Sequence, residues 1–299
     1  MSDNKKIGFI GFGLMGAPMA KHLLAAGFSV FGYVRNPEKA GAVKALGVSL
    51  LPSPKQLAEA VDVLITIVTD TNAVDGLLHG DEGILAGARS GLTMIDMSTI
   101  SAEKTRVFAK ELQAHQVDFL DAPVSGGEQG AIAATLSIMV GGPAEVLARM
   151  QPILEKLGQR ITHVGEHGAG QVTKSCNQVA QLASALGVSE AFALAKAQGV
   201  DLAKVREALL GGFAASRVLE VYGQRMIDDN FAPGFFAELY RKDMRLALED
   251  AQAHDLNLPV SALGLQCLNT LVAAGQGKRD AAAIALVIAM LNPHLEQAS

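Results

Sequence analysis

Lys5-Lys6-Ile7-Gly8-Phe9-Ile10-Gly11-Phe12-Gly13-Leu14-Met15-Gly16 carries the strongest structural signal in the chain. Its first half is a short apolar run, the pattern of a buried strand. Its second half spaces three glycines as G-x-G-x-x-G. Ala17 to Ala26 then reads as a helix stopped by Gly27, with Pro18 tolerated because it falls in the first turn. Phe28 to Val34 reads as a second strand. A lone G-x-G-x-x-G is weak, but strand, glycine turn, helix and strand within roughly 30 residues is the context of a dinucleotide site. The turn Gly11-Phe12-Gly13-Leu14-Met15-Gly16 would let a pyrophosphate approach the backbone, facing the N–H groups at the helix start.

The end of the second strand discriminates further. An Asp or Glu there, ~20 residues beyond the glycines, holds the ribose 2′-OH of NAD. This chain has Tyr33-Val34-Arg35-Asn36 instead. Arg35 can fork onto a 2′-phosphate, so NADP(H) is the preferred cofactor, with NAD(H) the alternative if Arg35 is only a solvated loop residue.

The alternation of strand and helix continues. Ser53-Pro54-Lys55-Gln56 is a capping box with Pro at the first helical position. Strands are expected at Asp62–Val68, Thr93–Met97, Val117–Asp121, Thr135–Val140 and Ile161–Val164. Helices are expected from Ser101 to about His115 and from Pro143 to Leu157. Ligands of open α/β sheets sit at the carboxyl ends of the strands. The loops Val68–Asn72, with Val68, Thr69 and Asp70 as cofactor contacts, and Ser98–Thr99 are therefore expected beside the ribose and nicotinamide.

From Gly168 onward only helices are read, at about 168–198, 201–210, 216–229, 241–254, 259–274 and 280–291. The expectation is an α/β Rossmann-like domain, residues 1–164, followed by an all-α domain, residues 165–299, joined by a long helix. The last helix is apolar on nearly all sides and is expected to be buried, against its own chain or another subunit. On the joining helix Lys174, Asn177, Gln178 and Gln181 fall at i, i+3, i+4 and i+7, a polar stripe on an apolar segment.

Reduction of a carbonyl needs a proton donor beside the developing alkoxide. The three tyrosines lack the Tyr-x-x-x-Lys spacing of short-chain reductases, and the histidines pair with no glycine loop or strand end; His167 is the one near the joining helix. Lys174 stands at the start of that helix. A lysine partly desolvated and near other cationic charge can cycle as acid and base near neutrality. Asn177, one turn on, can orient the ammonium or a substrate hydroxyl. The alternative is a lysine that snorkels to the surface. Ser125-Gly126-Gly127 after a strand offers consecutive N–H groups to a carboxylate, unless it is an ordinary turn. Tyr240-Arg241-Lys242-Asp243 is read as a helix start, from which Lys242 could reach cofactor or substrate.

The 299 residues allow about two domains, and 49% hydrophobic with 18% charged content is that of a globular chain. The formal charge of −5 and the lack of a basic cluster argue against nucleic acid. No apolar run reaches the ~18–20 residues of a membrane span, and no signal-peptide pattern precedes the first strand. Cys176 and Cys267 lack metal-site spacing and are expected as small core residues in a reducing compartment, so the expectation is a cytoplasmic protein without a metal.

Four segments in order resemble the β-hydroxyacid dehydrogenase family over nearly the whole chain. They are Gly11 to Ala20, the Asp121-Ala122-Pro123-Val124-Ser125-Gly126-Gly127 segment, Gly168 to Asn177, and Lys242-Asp243. The resemblance implies a cleft between the two domains, Lys174 as the catalytic acid/base and Asn177 as its helper. It implies Ser125, Gly126 and Gly127 around the substrate carboxylate, and Thr99 and Lys242 beside the cofactor. Many members have Leu-Pro and a polar residue where this chain has Val68-Thr69-Asp70, which places an acid near the cofactor. Glu128 and the Gly211-Gly212-Phe213-Ala214-Ala215-Ser216 segment are most similar to the branch that reduces tartronate semialdehyde (2-hydroxy-3-oxopropanoate) to glycerate. The resulting expectation is a homodimeric or homotetrameric oxidoreductase acting on a small carboxylate-bearing aldehyde or hydroxy acid. The alternatives are a 3-hydroxyisobutyrate-type dehydrogenase and a non-catalytic dinucleotide-binding interaction protein.

Overall fold

The structure is a computed structural model that describes residues 5–295. The chain divides into two compact units, Met1–Lys174 and Ser175–Ser299. The first runs β1 (Lys6–Ile10), α1 (Gly16–Ala25), β2 (Ser29–Tyr33), α2 (Ala40–Ala45), β3 (Ser49–Leu50), α3 (Pro54–Ala60), β4 (Val63–Thr66), α4 (Thr71–Leu78), β5 (Thr93–Asp96), α5 (Ala102–Ala114), β6 (Asp118–Asp121), β7 (Val124–Ser125), α6 (Gly127–Ile132), β8 (Leu136–Gly141), α7 (Ala144–Leu154) and β9 (Gly158–Gly165). Six strands lie parallel in the order β3-β2-β1-β4-β5-β6. β8 joins antiparallel to β6, with β7 antiparallel and β9 parallel to β8.

The central strands β4, β5 and β6 carry apolar residues at successive interior positions because both sheet faces are covered there. Val63 and Ile65 of β4, Ile95 of β5 and Leu120 of β6 enter one buried cluster; Leu64, Met94 and Phe119 from the same strands enter another. Successive side chains point to opposite faces, so a doubly covered strand shows no polar alternation. Helix starts follow their caps. Ser53 accepts the Gln56 N–H, and Ser101 accepts that of Lys104.

α8 (Ala169–Ala197) carries the chain out of the first unit. The second unit continues with α9 (Leu202–Leu210), α10 (Arg217–Ile227), α11 (Ala237–Ala253), α12 (Pro259–Leu271) and α13 (Ala285–Leu291). Leu182 and Leu186 of α8 pack with Tyr240, Met244 and Leu268. A side chain on Gly264 of α12 would stand 2.5 Å from a Leu182 methyl, so glycine lets these two helices pack closely. This is the expected class: a Rossmann-like α/β sheet followed by helices, with one long helix between. Among the described residues no helix is long and apolar enough to cross a membrane, and no cluster of His, Cys, Asp and Glu could hold a metal.

Several local expectations are corrected. α11 begins at Ala237 rather than near Arg241, because the N–H groups of Ala237 and Glu238 donate to the carbonyls of Arg279 and Gly277. Lys242 and Asp243 are therefore in the second turn. α2, β3, α4 and β7 are additional elements. The expected final helix is split into a 3₁₀ turn, Ala281–Ile284, and α13; Val287 and Ile288 are buried, whereas Met290 and Leu291 are exposed. Cys267 is half-buried, but Cys176 is exposed and is not a core residue.

Candidate active site

The strand order reverses between β1 and β4, and the loops at the carboxyl ends of β2, β1, β4, β5 and β6 hold most of the expected site. In the turn after β1, Gly11 has φ +108°, and a Cβ there would lie 2.0 Å from the Ile67 carbonyl oxygen. A Cβ on Gly16 would lie 1.8 Å from the Gly11 oxygen, so glycine allows α1 to start against the turn. A Cβ on Gly13 would meet nothing within 4 Å. Two glycines thus serve the protein's own packing, and the third leaves open space beside the start of α1. That is the cradle a pyrophosphate requires, so the turn fits a dinucleotide. Phe12 packs into the core with Phe9, Met15 is half-buried, and Leu14 is exposed.

After β2, Arg35 is exposed. Asn36 caps a short 3₁₀ turn, its Oδ1 accepting the Glu38 N–H at 3.0 Å. After β4, Val68 donates its N–H to the Ser98 hydroxyl at 2.9 Å. Asp70 is the N-cap of α4; its carboxylate accepts from the Ala73 N–H and the Thr69 hydroxyl, both at 2.9 Å. The acid that departs from the family pattern is thus engaged as a helix cap.

Beneath these loops lie buried polar groups at the strand ends. Asp96, fully buried, accepts from the Thr66 hydroxyl at 2.7 Å and from the Ser98 hydroxyl at 2.6 Å. Its other oxygen has no partner. Burial pushes the Asp96 carboxyl up to about 6. Asp121, its register neighbour on β6, is raised to about 6 by burial, opposed by the N–H groups it accepts. Those N–H groups belong to Gly168 (2.8 Å) and Gln171 (3.1 Å), at the start of α8. A carboxylate that takes the orphan donors of a helix N-terminus fixes that end and complements the positive end of the helix dipole. Gln171 adds a clamp. Its Oε1 accepts the Ile100 N–H at 3.1 Å, and its Nε2 donates to the Ser98 carbonyl at 2.8 Å, so both sides of Thr99 are held. Lys174, one turn further along α8, is buried. Gly126 and Gly127 follow β7 with φ +138° and +61°, a conformation that glycine adopts readily.

In the helical unit, Asn177 and Lys242 are linked. Asn177 Nδ2 donates to Gln178 Oε1 at 2.7 Å, and Gln178 Nε2 donates to Asp243 Oδ2, also at 2.7 Å. Asp243 Oδ1 pairs with Lys242 Nζ at 2.9 Å. Gln181 donates to the Tyr222 hydroxyl at 2.6 Å. Asn177, Gln178 and Gln181 of the α8 stripe are therefore joined in one network with Asp243 and Tyr222. His167 does not join the site: its Nε2 lies 3.0 Å from the Phe119 carbonyl and its ring stacks on Phe119.

In the sequence, Gln178 lies in the polar stripe without an assigned task, and Asp96, Gln171 and Tyr222 are not singled out. A signal existed for some of them. The apolar runs of β4, β5 and β6 end in Thr66, Asp96 and Asp121, and a polar residue closing an apolar strand at the ligand-facing edge is a candidate support.

Known proteins agree with this architecture. Residues 6–165 match the family described as the NAD binding domain of 6-phosphogluconate dehydrogenase, and residues 168–288 match the NAD-binding domain of NADP-dependent 3-hydroxyisobutyrate dehydrogenase. The chain is 43% identical over 289 residues to the 2-hydroxy-3-oxopropionate reductase of Escherichia coli, covering 97% of this chain and 99% of that one. It is 39% identical over 264 residues to the 3-hydroxyisobutyrate dehydrogenase of Pseudomonas aeruginosa, covering 86% and 89%. A solved 3-hydroxyisobutyrate dehydrogenase of Mycobacterium tuberculosis, with L-serine, superposes with a TM-score of 0.88 at 32% identity, covering 95% and 99%. The chain belongs to the 3-hydroxyisobutyrate dehydrogenase-like β-hydroxyacid dehydrogenases and is a nicotinamide-dependent oxidoreductase of that family.

Proposed function

We propose that the protein reduces a small 3-oxo acid, with tartronate semialdehyde as preferred substrate and glycerate as product. The observation that carries this reading is Lys174 and Asn177 on successive turns of α8, whose first turn is tied by Asp121 to the carboxyl edge of the sheet. The 43% identity to a 2-hydroxy-3-oxopropionate reductase supports the substrate branch.

Residues 1–164 are taken as the dinucleotide-binding part and 165–299 as the substrate and oligomerisation part. The turn Gly11–Gly16, with Asn36, Val68, Thr69, Asp70, Thr99 and Lys242, would hold the cofactor. Arg35 would meet a 2′-phosphate, which favours NADP(H) over NAD(H). When bound, the nicotinamide supplies the hydride that reaches the aldehyde carbon. Lys174 gives a proton to the carbonyl oxygen as negative charge develops there, and is then reprotonated from solvent. The Ser125 hydroxyl and the Gly126 and Gly127 N–H groups hold the substrate carboxylate, and Asn177 orients the reacting oxygen or the lysine. We assign the protein to the cytoplasm as a homodimer or homotetramer. Exposed Leu194, Leu263, Met290 and Leu291 supply apolar surface for such contacts, and light scattering that found only monomer would remove that assignment.

A rate panel tests the substrate. Tartronate, methylmalonate and succinate semialdehydes are compared by kcat/KM with NADPH and NADH. Tartronate semialdehyde should lead by ~tenfold or more. A lead by methylmalonate semialdehyde would move the protein to the 3-hydroxyisobutyrate dehydrogenases, a reading favoured by its 39% identity to the Pseudomonas aeruginosa enzyme.

A further inference from the structure

The amide groups of Asn177 and Gln178 are not free to choose which end they present. Asp243 is ion-paired with Lys242 through Oδ1, and as a carboxylate it can only accept. Its Oδ2 therefore requires the NH₂ end of Gln178, at 2.7 Å. That choice turns Gln178 Oε1 toward Asn177, which must answer with its own NH₂, again at 2.7 Å. Gln181 Oε1 lies 3.5 Å from the same nitrogen and favours the same orientation. Gln178 and Asp243 are 1% and 3% exposed, so water does not substitute for a missing partner.

From this chain we infer that Asn177 meets its ligand through its carbonyl oxygen, as a hydrogen-bond acceptor, and that Gln178 and Asp243 are positioning residues that enforce this polarity. The inference deepens the proposed function and rests on its assignment of Asn177 to the catalytic site. An acceptor suits a partner that carries a hydrogen, either the ammonium of a protonated lysine or a substrate hydroxyl. It does not suit a substrate carboxylate, which is left to Ser125, Gly126 and Gly127. An asparagine free to rotate would serve either partner, and the fixed one discriminates between them.

Acceptor and donor replacements at position 178 test the polarity. Gln178→Glu, held protonated against the Asp243 carboxylate, donates its O–H there and still offers an acceptor oxygen to Asn177, preserving its orientation. Gln178→Lys pairs with Asp243 and presents only donors to Asn177, whose oxygen it captures. Gln178→Met leaves Asn177 unguided. Among variants that bind cofactor normally, kcat should fall in the order Glu, Met, Lys, with the Lys variant ~10–100-fold below the Glu variant. A purely structural role would instead favour Lys, which keeps Asp243 paired, over Met, which leaves that carboxylate without its donor. A Lys variant that equals or exceeds the Glu variant overturns the inference. If the charged variants do not fold, hydrogen exchange in the wild-type protein decides. With 15N-asparagine labelling, and the Asn177 signal identified by its loss in Asn177→Asp, the side-chain NH₂ should exchange more slowly than that of exposed asparagines. Exchange as fast as theirs overturns the inference. The parent reading is judged separately: if Asn177→Leu leaves turnover unchanged, that reading falls, and exchange alone judges the polarity.

Discussion

Asp121 accepts the backbone N–H of Gly168 at 2.8 Å from the last position of β6. Its second oxygen takes the N–H of Gln171. One buried carboxylate thereby holds the first turn of the helix that carries Lys174, while Gln171 clamps the backbone on both sides of Thr99. The sheet edge, the Thr99 loop and the lysine helix are one hydrogen-bonded unit.

Asp121→Asn should break that unit. One oxygen becomes an NH₂ facing a backbone N–H, which costs a charge-assisted bond and leaves a buried donor unpaired, ~1–3 kcal/mol. Thermal melting should record the loss. kcat should fall ~tenfold or more as the lysine helix shifts, with cofactor affinity changed much less. Unchanged stability would contradict the capping role.

The glycine turn gives two opposite outcomes for one chemical change. Gly13→Ala projects a methyl into open space, so the melting temperature should stay near wild type while cofactor affinity drops ~tenfold or more. Gly16→Ala sets a methyl against the Gly11 carbonyl and should destabilise the fold itself. Calorimetry and cofactor titration on both variants separate the roles. Unimpaired dinucleotide binding by Gly13→Ala would move the cofactor elsewhere.

Asp96 predicts a pH-dependent stability. Its carboxyl rises from an ordinary 3.8 to about 6 on folding, because burial disfavours the charged form. The native state therefore binds the proton more tightly than the unfolded chain. This contribution is fully present below about pH 4 and is lost as pH rises through about 6, a span of ~3 kcal/mol. Asp96→Asn keeps an acceptor for Thr66 and Ser98 and removes the titration. Denaturant melts between pH 4 and 7 should show stability shifting in favour of the variant by about that amount. A difference independent of pH would refute the assignment.

Arg35 bears on the cofactor. Arg35→Ala should raise KM for NADPH ~tenfold or more and leave KM for NADH nearly unchanged, because only the 2′-phosphate requires the guanidinium. An equal effect on both cofactors, or a wild-type preference for NADH, would contradict the charge argument.

Much of this architecture was legible in the sequence, and the exceptions have physical reasons. β1, the glycine turn and α1 announce themselves because turn geometry and burial are local demands on residue type. The start of α11 is not legible locally because its first N–H groups are satisfied by carbonyls of Gly277 and Arg279, about 40 residues away and invisible to a local cap rule. β3 is not legible because two residues carry no periodicity, and its pairing with β2 is what makes it a strand. The stripe on α8 was legible as a stripe. Its internal wiring was not, because the residue that orients it, Asp243, lies 65 positions beyond Gln178.

The central claim is that Lys174 gives the proton when the aldehyde is reduced. Its most direct test is kcat of Lys174→Ala on tartronate semialdehyde, with cofactor binding measured in parallel. The account predicts a fall on the order of 10²–10⁴-fold in kcat with cofactor affinity nearly unchanged. A folded Lys174→Ala protein that binds cofactor and turns over at close to the wild-type rate would contradict it.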